Sequence, residues 1–336
     1  MTQSSKAAKS SPGQSTLMLC LGWGIGSIIF FLLFGALAPG EDSRADWFLI
    51  SINFLEIFAF LLAALLCFRN SGSSQIISGR TVWFALGIGM AAYAAGTVFF
   101  FLWGTVWGLD PAVSMGDGFY FISYIAMVVG MLLAALPRRI DLSLSQWGTI
   151  LAIGAAGIIL ACGLNFGWPS VSAQIWIQSA MAAEIRLAQA PPDAAVVEEA
   201  AAPVVEEAVD AAVEPEVSGG LLPTPGWAQA LDDALEQFAE PVALIYVMLD
   251  CFLVVIAAAL LVAFWEGRFS QSWKLIAIAT FCLYIADMVF AAVGDSYVEG
   301  ELWEVFWILS ALFFAAGAAI EYNVSRRSRR GSRRRA

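Results

Sequence analysis

Apolar residues along this chain gather into eight long runs, and polar residues are confined to the stretches between them. The runs lie near 17–38, 47–68, 82–106, 118–136, 147–165, 242–264, 274–293 and 303–320. Each approaches the roughly 20 residues that a helix needs to cross about 30 Å of hydrocarbon. Lipid offers no partner to an unpaired peptide group, so spanning segments are helices or strands of a closed barrel. Barrel strands would alternate polar and apolar over about ten residues, and these runs are continuous. The expected fold is all-α and integral to a membrane, with eight transmembrane helices. Composition agrees: 60% of residues are hydrophobic and 13% charged, where soluble domains run nearer one half and one quarter.

The loops between runs alternate in charge sign. Lys6/Lys9, Arg69/Arg80, Arg138/Arg139, Arg268/Lys274 and the C-terminal arginines fall in one set. Glu41/Asp42/Asp46, Asp110/Asp117, the 166–240 segment and Asp295/Glu299/Glu301 fall in the other. Lys and Arg near span ends favour the cytoplasm, so both termini are expected there, in a bacterial inner membrane. Arg44 is the exception, outnumbered by its acidic neighbours. Trp47, Trp103, Trp107, Trp168 and Trp303 are then expected in an outer interfacial belt, and Trp83, Trp147, Trp265 and Trp273 in an inner one. The first run, behind Lys6 and Lys9, exceeds a signal-peptide core in length and reads as a retained helix.

The net charge of −11 conceals two extremes. Residues 165–240 contain 13 acids and one base, Arg186, whereas residues 326–336 carry seven Arg. Residues 171–188 suit a helix lying on the membrane, and 189–224 read as a low-complexity acidic linker. Residues 226–239 place Trp227, Leu231, Leu235 and Phe238 at helical spacing, which predicts a short amphipathic helix. The expected organisation is a cytoplasmic tail over 1–16 and a first four-helix half over 17–136. A second half follows over 137–320, interrupted by the extracytoplasmic 166–240 segment, and an Arg-rich cytoplasmic tail closes the chain over 321–336.

The two halves look duplicated. "TVWFALGIGMAAYAAGTVFFF" aligns with "QSWKLIAIATFCLYIADMVFAA", pairing Trp83 with Trp273 and Tyr93 with Tyr284. "AALL" occurs at 63–66 and 258–261, and runs four and eight both begin in an acid–aromatic cluster. Four helices per repeat give the halves like orientation, related by an axis along the membrane normal.

Three acids lie inside runs: Glu56, Asp250 and Asp287. A charge at mid-bilayer costs about 2.5–3.5 kcal/mol on insertion scales, so such residues face the bundle interior or a wet cavity, or carry a proton. Glu56 and Asp250 fall at nearly equivalent positions of the two halves. They are expected to line a polar cleft there, hydrogen-bonded to Asn53, Ser51 or Tyr hydroxyls. A plain structural role, as uncharged acids bonded between helices, competes evenly with a functional one.

Other signals point to packing. The chain has no His, which excludes His-ligated haem, the common zinc sites and His-based acid–base chemistry. Its five Cys include no CxxC pair, so neither a metal site nor any cofactor is expected. Gly22-Trp-Gly24-Ile-Gly26 and Gly154-Ala-Ala-Gly157 suit close helix approach; a nucleotide loop would follow a strand. Arg326, Arg327, Arg329, Arg330, Arg333, Arg334 and Arg335 are expected to contact anionic lipid, at about 1 kcal/mol each near the surface. Nucleic-acid binding is the less favoured reading of that tail.

The most specific local pattern is Asp110-Pro111-Ala-Val-Ser114-Met-Gly-Asp117-Gly-Phe-Tyr120-Phe-Ile-Ser-Tyr124. Pro111 and Ser114 suit a helix start, and Asp117 suits its positive first turn. The pattern resembles the "PS-x-x-D-x-x-Y-x-x-x-Y-P" signature in the multi-span N-terminal sensor modules of some bacterial diguanylate cyclases and sensor kinases. An acid in the penultimate run (Asp287) and Leu302-Trp303 before the last also resemble them. Ile125 stands where the signature has Pro, and the 336 residues contain no cyclase or kinase domain. The resemblance implies a sensing or scaffold module without intrinsic catalysis, acting on a separate signalling or membrane protein. Its ligand would sit between the halves around Glu56, Tyr93, Asp250, Tyr284 and Asp287. The alternative is a small proton-coupled transporter using the same carboxylates.

Overall fold

The computed structural model describes residues 12–36, 44–109, 113–135, 143–165, 220–263 and 270–333. Pro111, the surface helix expected at 171–188, most of the acidic linker, Trp168, Trp265, Arg334 and Arg335 lie outside these residues. So do the side chains of Arg327, Arg329, Arg330 and Arg333.

The described residues are helical, with no strand among them. In chain order the helices are α1 (Pro12–Phe34), α2 (Asp46–Ser71), α3 (Arg80–Phe101), α4 (Gly116–Ala135), α5 (Leu144–Asn165), α6 (Gly226–Leu235), α7 (Ala239–Ala263), α8 (Ser270–Val293) and α9 (Val305–Arg333). A π-helical turn, Leu102–Val106, extends α3, and a 3-10 turn, Glu236–Phe238, joins α6 to α7. Among the described residues, eight helical segments are long and apolar enough to cross a membrane. This is the number and order that the hydropathy pattern predicts, with starts and ends shifted by a few residues.

Six helices form a closed ring in which α2 packs on α3, α3 on α4, α4 on α7, α7 on α8, α8 on α9, and α9 back on α2. The other two lie outside it: α1 against α9, α5 against α7 and α8. Small residues make the seams close, as packing in lipid requires. Ala59 and Ala63 on α2, Ala279 and Ala286 on α8, and Ala311, Ala315 and Ala318 on α9 are all sealed from the surface. Opposite them, Phe54, Phe58, Leu61 and Leu65 form an exposed apolar stripe on α2, the side that would meet acyl chains.

The glycines of α1 do not behave as one packing motif. A Cβ on Gly24 would lie 3.1 Å from Leu309 Cδ2 of α9, whereas Gly22 and Gly26 have nothing within 4 Å. On α5 the expected close approach is present: a Cβ on Gly154 would lie 2.9 Å from Val255 Cγ2. Three tryptophans expected in interfacial belts are instead core residues. Trp83, Trp103 and Trp273 are fully buried, and the Trp83 and Trp273 rings lie 6.4 Å apart. Trp47 and Trp147 are half exposed, as a belt residue should be.

The last helix runs past the boundary expected at 320. Glu321 is sealed, and its Oε1 accepts from the Ser78 hydroxyl at 2.7 Å. The Arg69 guanidinium lies 4.2 Å over the Tyr322 ring. These contacts continue α9 beyond the apolar run, so the segment after 320 begins as part of the bundle.

At the opposite end, the wide π turn lets Trp103 point inward, and its Nε1 donates to Asp232 Oδ1 at 2.6 Å. The carbonyls where this helix ends are satisfied by the returning chain: Leu222 N donates to Val106 O at 2.8 Å and Thr224 Oγ1 to Trp107 O at 2.7 Å. Helix α6 therefore docks on the bundle through Ala228 and Asp232, one turn apart. The apolar face, expected to pack on the membrane surface or on the bundle, is half exposed, with Trp227 at 56% and Phe238 at 49%. A part-buried hydrogen bond and a small buried residue decided the rotation of this helix.

Candidate functional site

The ring encloses a cavity of about 430 Å³, within the range of small-molecule sites. All six ring helices contribute to its wall, as do Phe31 of α1 and the loop before α9. Its acids are Glu56, Asp117, Glu240, Asp287, Glu299 and Glu304, and no Lys or Arg lines it.

Helix α4 builds one side through the D-x-x-Y-x-x-x-Y pattern. Spacings of three and four residues place Asp117, Tyr120 and Tyr124 on one helix face, and all three line the cavity. The start of α4 fixes that face. Ser114 N donates to Asp117 Oδ2 at 2.6 Å, and Gly116 N donates to Ser114 Oγ at 3.0 Å, so side chains satisfy first-turn amides. The other Asp117 oxygen accepts from the Tyr246 hydroxyl of α7 at 2.7 Å. Ile125, at the position where the resembled signature has proline, faces outward.

Tyr124 joins the two acids of the second half. Its hydroxyl lies 2.7 Å from Asp250 Oδ1 and 2.5 Å from Asp287 Oδ2. Trp307 Nε1 of α9 donates to the other Asp287 oxygen at 2.7 Å. A phenol has one proton and a carboxylate can only accept. Two hydrogen bonds at one hydroxyl therefore require a second proton, held by one of the carboxyls. Asp250 is only 1% exposed and sits behind Tyr124, off the cavity wall.

Glu56 belongs to a separate network. Thr97 Oγ1 lies 3.0 Å from Glu56 Oε1, and the Tyr120 hydroxyl points back at Thr97 from 3.4 Å. Tyr93 stacks on Phe60 at 3.9 Å and leans on Tyr120 at 4.8 Å. Ser51, expected as a partner of Glu56, instead donates to Trp47 O on the exposed side of α2. Asn53 donates to Glu299 Oε1 at 2.5 Å, again not to Glu56. Thr105 Oγ1 also lies 3.0 Å from Glu299 Oε2. Burial pushes the Glu299 carboxyl above the usual carboxylate range, opposed by the Asn53 and Thr105 hydrogen bonds and by Arg44.

Of the five residues expected to meet, Glu56, Tyr93 and Asp287 line the cavity and Asp250 backs it through Tyr124. Tyr284 is elsewhere: its hydroxyl donates to Gly157 O of α5 at 2.6 Å, in a small cluster outside the ring. Sequence reasoning missed Tyr246, Glu299, Glu304 and Trp307 as site residues. Tyr246 precedes Asp250 by one helical turn, and Glu304 and Trp307 sit three apart in the acid–aromatic start of the last span, which was the available signal.

Arg44, the odd charge among the acidic loops, clamps this end shut. Its Nε donates to Gly35 O at 2.7 Å, and its Nη1 to Val298 O at 3.1 Å and Glu299 O at 2.9 Å. Among the described residues no group of His, Cys, Asp or Glu is arranged to hold a metal ion. The chain matches no protein-family model, no curated protein and no solved structure.

Proposed function

We propose that this protein is a membrane sensing or scaffold module that binds a membrane-accessible small molecule in the cavity between its halves and passes the bound state to a separate protein. The observation that carries the reading is the cavity itself. It is ringed by six helices and furnished with acids and phenols, and aromatic pairs such as Tyr93–Tyr120, Phe121–Tyr246 and Phe290–Trp307 brace its wall. A role in packing alone would favour a filled seam. Ring order supports the duplication as well: α2, α3 and α4 follow one another as α7, α8 and α9 do, and each set meets the other at both ends. The loop charges support a cytoplasmic location for both termini in a bacterial inner membrane, with Arg326–Arg335 near anionic lipid.

The second reading, proton-coupled transport, is favoured by one observation: Asp250 and Asp287 share the Tyr124 hydroxyl and with it a proton. The two readings separate in one pair of measurements. Native mass spectrometry of the purified chain should find one retained small molecule per chain, lost in Glu56→Gln. Proteoliposomes carrying an internal pH dye should show no flux attributable to the protein. An empty chain, together with proton flux that vanishes in Asp250→Asn, would replace sensing by transport.

A further inference from the structure

We propose that the cavity recognises an amphiphilic organic cation, an amine or quaternary ammonium group carried on an apolar body. The inference rests on the reading that the cavity holds a ligand, and adds the chemical class.

Charge on the wall has one sign. Glu56, Asp117, Asp287, Glu299 and Glu304 face one space that no Lys or Arg lines; Arg44 lies behind Glu299 and its guanidinium donates to backbone carbonyls. Internal hydrogen bonds occupy several of these carboxyls but not all of their oxygens. Glu56 accepts the Thr97 hydroxyl through Oε1, and its Oε2 has no hydrogen-bond partner among the described residues. Tyr93 is a second, independent pointer. It is 4% exposed and lines the cavity, yet its hydroxyl has no hydrogen-bond partner among the described residues. Buried polar side chains are ordinarily paired; neither of these two atoms is sealed away from the cavity, so both are open to a donor or acceptor that the protein does not supply.

The rest of the wall selects the kind of cation. Tyr93, Tyr120, Tyr246, Phe100, Phe290 and Trp307 present aromatic surface to the same space. Aromatic faces attract ammonium groups, most strongly where water is excluded. A compact divalent ion needs converging oxygen ligands, and the acids here are spread around the wall with no ion-holding group among the described residues. A diffuse positive charge with an apolar body matches dispersed acids and aromatic rings. An anionic ligand would meet only like charge.

The test uses the full chain in nanodiscs of zwitterionic lipid, with empty nanodiscs subtracted, titrated with 4-phenylbutylamine, 4-phenylbutanol and 4-phenylbutyrate by calorimetry. The amine should saturate at one per chain and bind at least tenfold more tightly than the alcohol, and the butyrate should not bind. Glu56→Gln and Asp287→Asn should each weaken the amine tenfold or more and leave the alcohol unchanged, while Asp233→Asn, on exposed α6, should change neither. Equal binding of amine and alcohol would overturn the cation class and leave the ligand reading standing. Amine binding that survives both cavity substitutions, or no binding of the amine, would also overturn it. Should Asp287→Asn fail to fold, Tyr93→Phe keeps the ring and removes only the hydroxyl; several-fold weaker amine binding is expected, and unchanged binding counts against the proposal. A chain that retains no small molecule in native mass spectrometry yet conducts protons would instead remove the underlying reading.

Discussion

The Tyr124 hydroxyl lies 2.7 Å from Asp250 Oδ1, linking helices α4 and α7 across 126 positions of sequence. The same oxygen reaches Asp287. Two acids and one phenol thus form a unit that neither half of the chain contains alone.

Asp250→Asn should be nearly neutral for stability, because an amide N–H can take the place of the proton that the acid pair must hold. Tyr124→Phe should cost about 1–3 kcal/mol, the usual penalty for leaving a buried acceptor unpaired. Asp250→Leu should cost more than Asp250→Asn, since it leaves the Tyr124 hydroxyl with one hydrogen-bond partner fewer. Thermal unfolding in a fixed detergent checks the order, and an Asn variant as unstable as the Leu variant would contradict the shared proton.

Gly300 has φ +96, and a Cβ there would lie 2.7 Å from both Arg44 Cδ and Phe48 Cε1. Gly300→Ala therefore combines an unfavourable backbone conformation with a clash against the clamp. A loss of about 1–3 kcal/mol is expected. Arg44→Gln should raise hydrogen exchange in the Val298 and Glu299 loop, because it removes the donors to their carbonyls. Unchanged exchange would show that the loop holds without the clamp.

Glu299 sets a pH dependence. Its folded carboxyl binds a proton more tightly than the unfolded chain does, so the folded state gains protons relative to the unfolded one. By linkage its contribution is most favourable at low pH and is lost as pH rises from the unfolded carboxylate value through the raised folded one. The melting temperature should fall with rising pH over that window, and Glu299→Gln should flatten this part of the profile. A difference profile with the opposite slope would refute the assignment.

The glycines of α1 separate cleanly. Gly22→Ala and Gly26→Ala should leave the melting temperature unchanged within the helical advantage of Ala, because nothing lies within 4 Å of either position. Gly24→Ala must displace Leu309 and should destabilise the α1–α9 contact. Reversal of that order would restore the Gly22/Gly26 pair as the packing face.

On α3, a Cβ at Gly96 would lie 2.6 Å from the Tyr120 ring. Gly96→Ala should push Tyr120 off Tyr93 and into the cavity. Amine binding should weaken several-fold with a smaller change in stability, measured by the same titration and by thermal unfolding.

Much of the architecture was legible in the sequence. Eight continuous apolar runs are, among the described residues, eight helices long and apolar enough to span, as a backbone that must bond internally in lipid requires, and the D-x-x-Y-x-x-x-Y spacing put three cavity residues on one face of α4. Helix rotation was not legible. In these spans the lipid-facing and bundle-facing sides are both apolar, so the 3.6-residue pattern that aims a helix in water is nearly absent. Tyr284 lies one residue farther from Trp273 than Tyr93 does from Trp83, which turns it about 100° round the helix toward α5, and Trp103 left the expected belt for a bond to Asp232. Contacts between side chains distant in sequence made those choices: a π turn, a docked Ala228, the Arg44 clamp and a shared phenol proton. Hydropathy alone determined that these segments are long and apolar enough to cross a membrane, and only tertiary packing decided which of their acids meet.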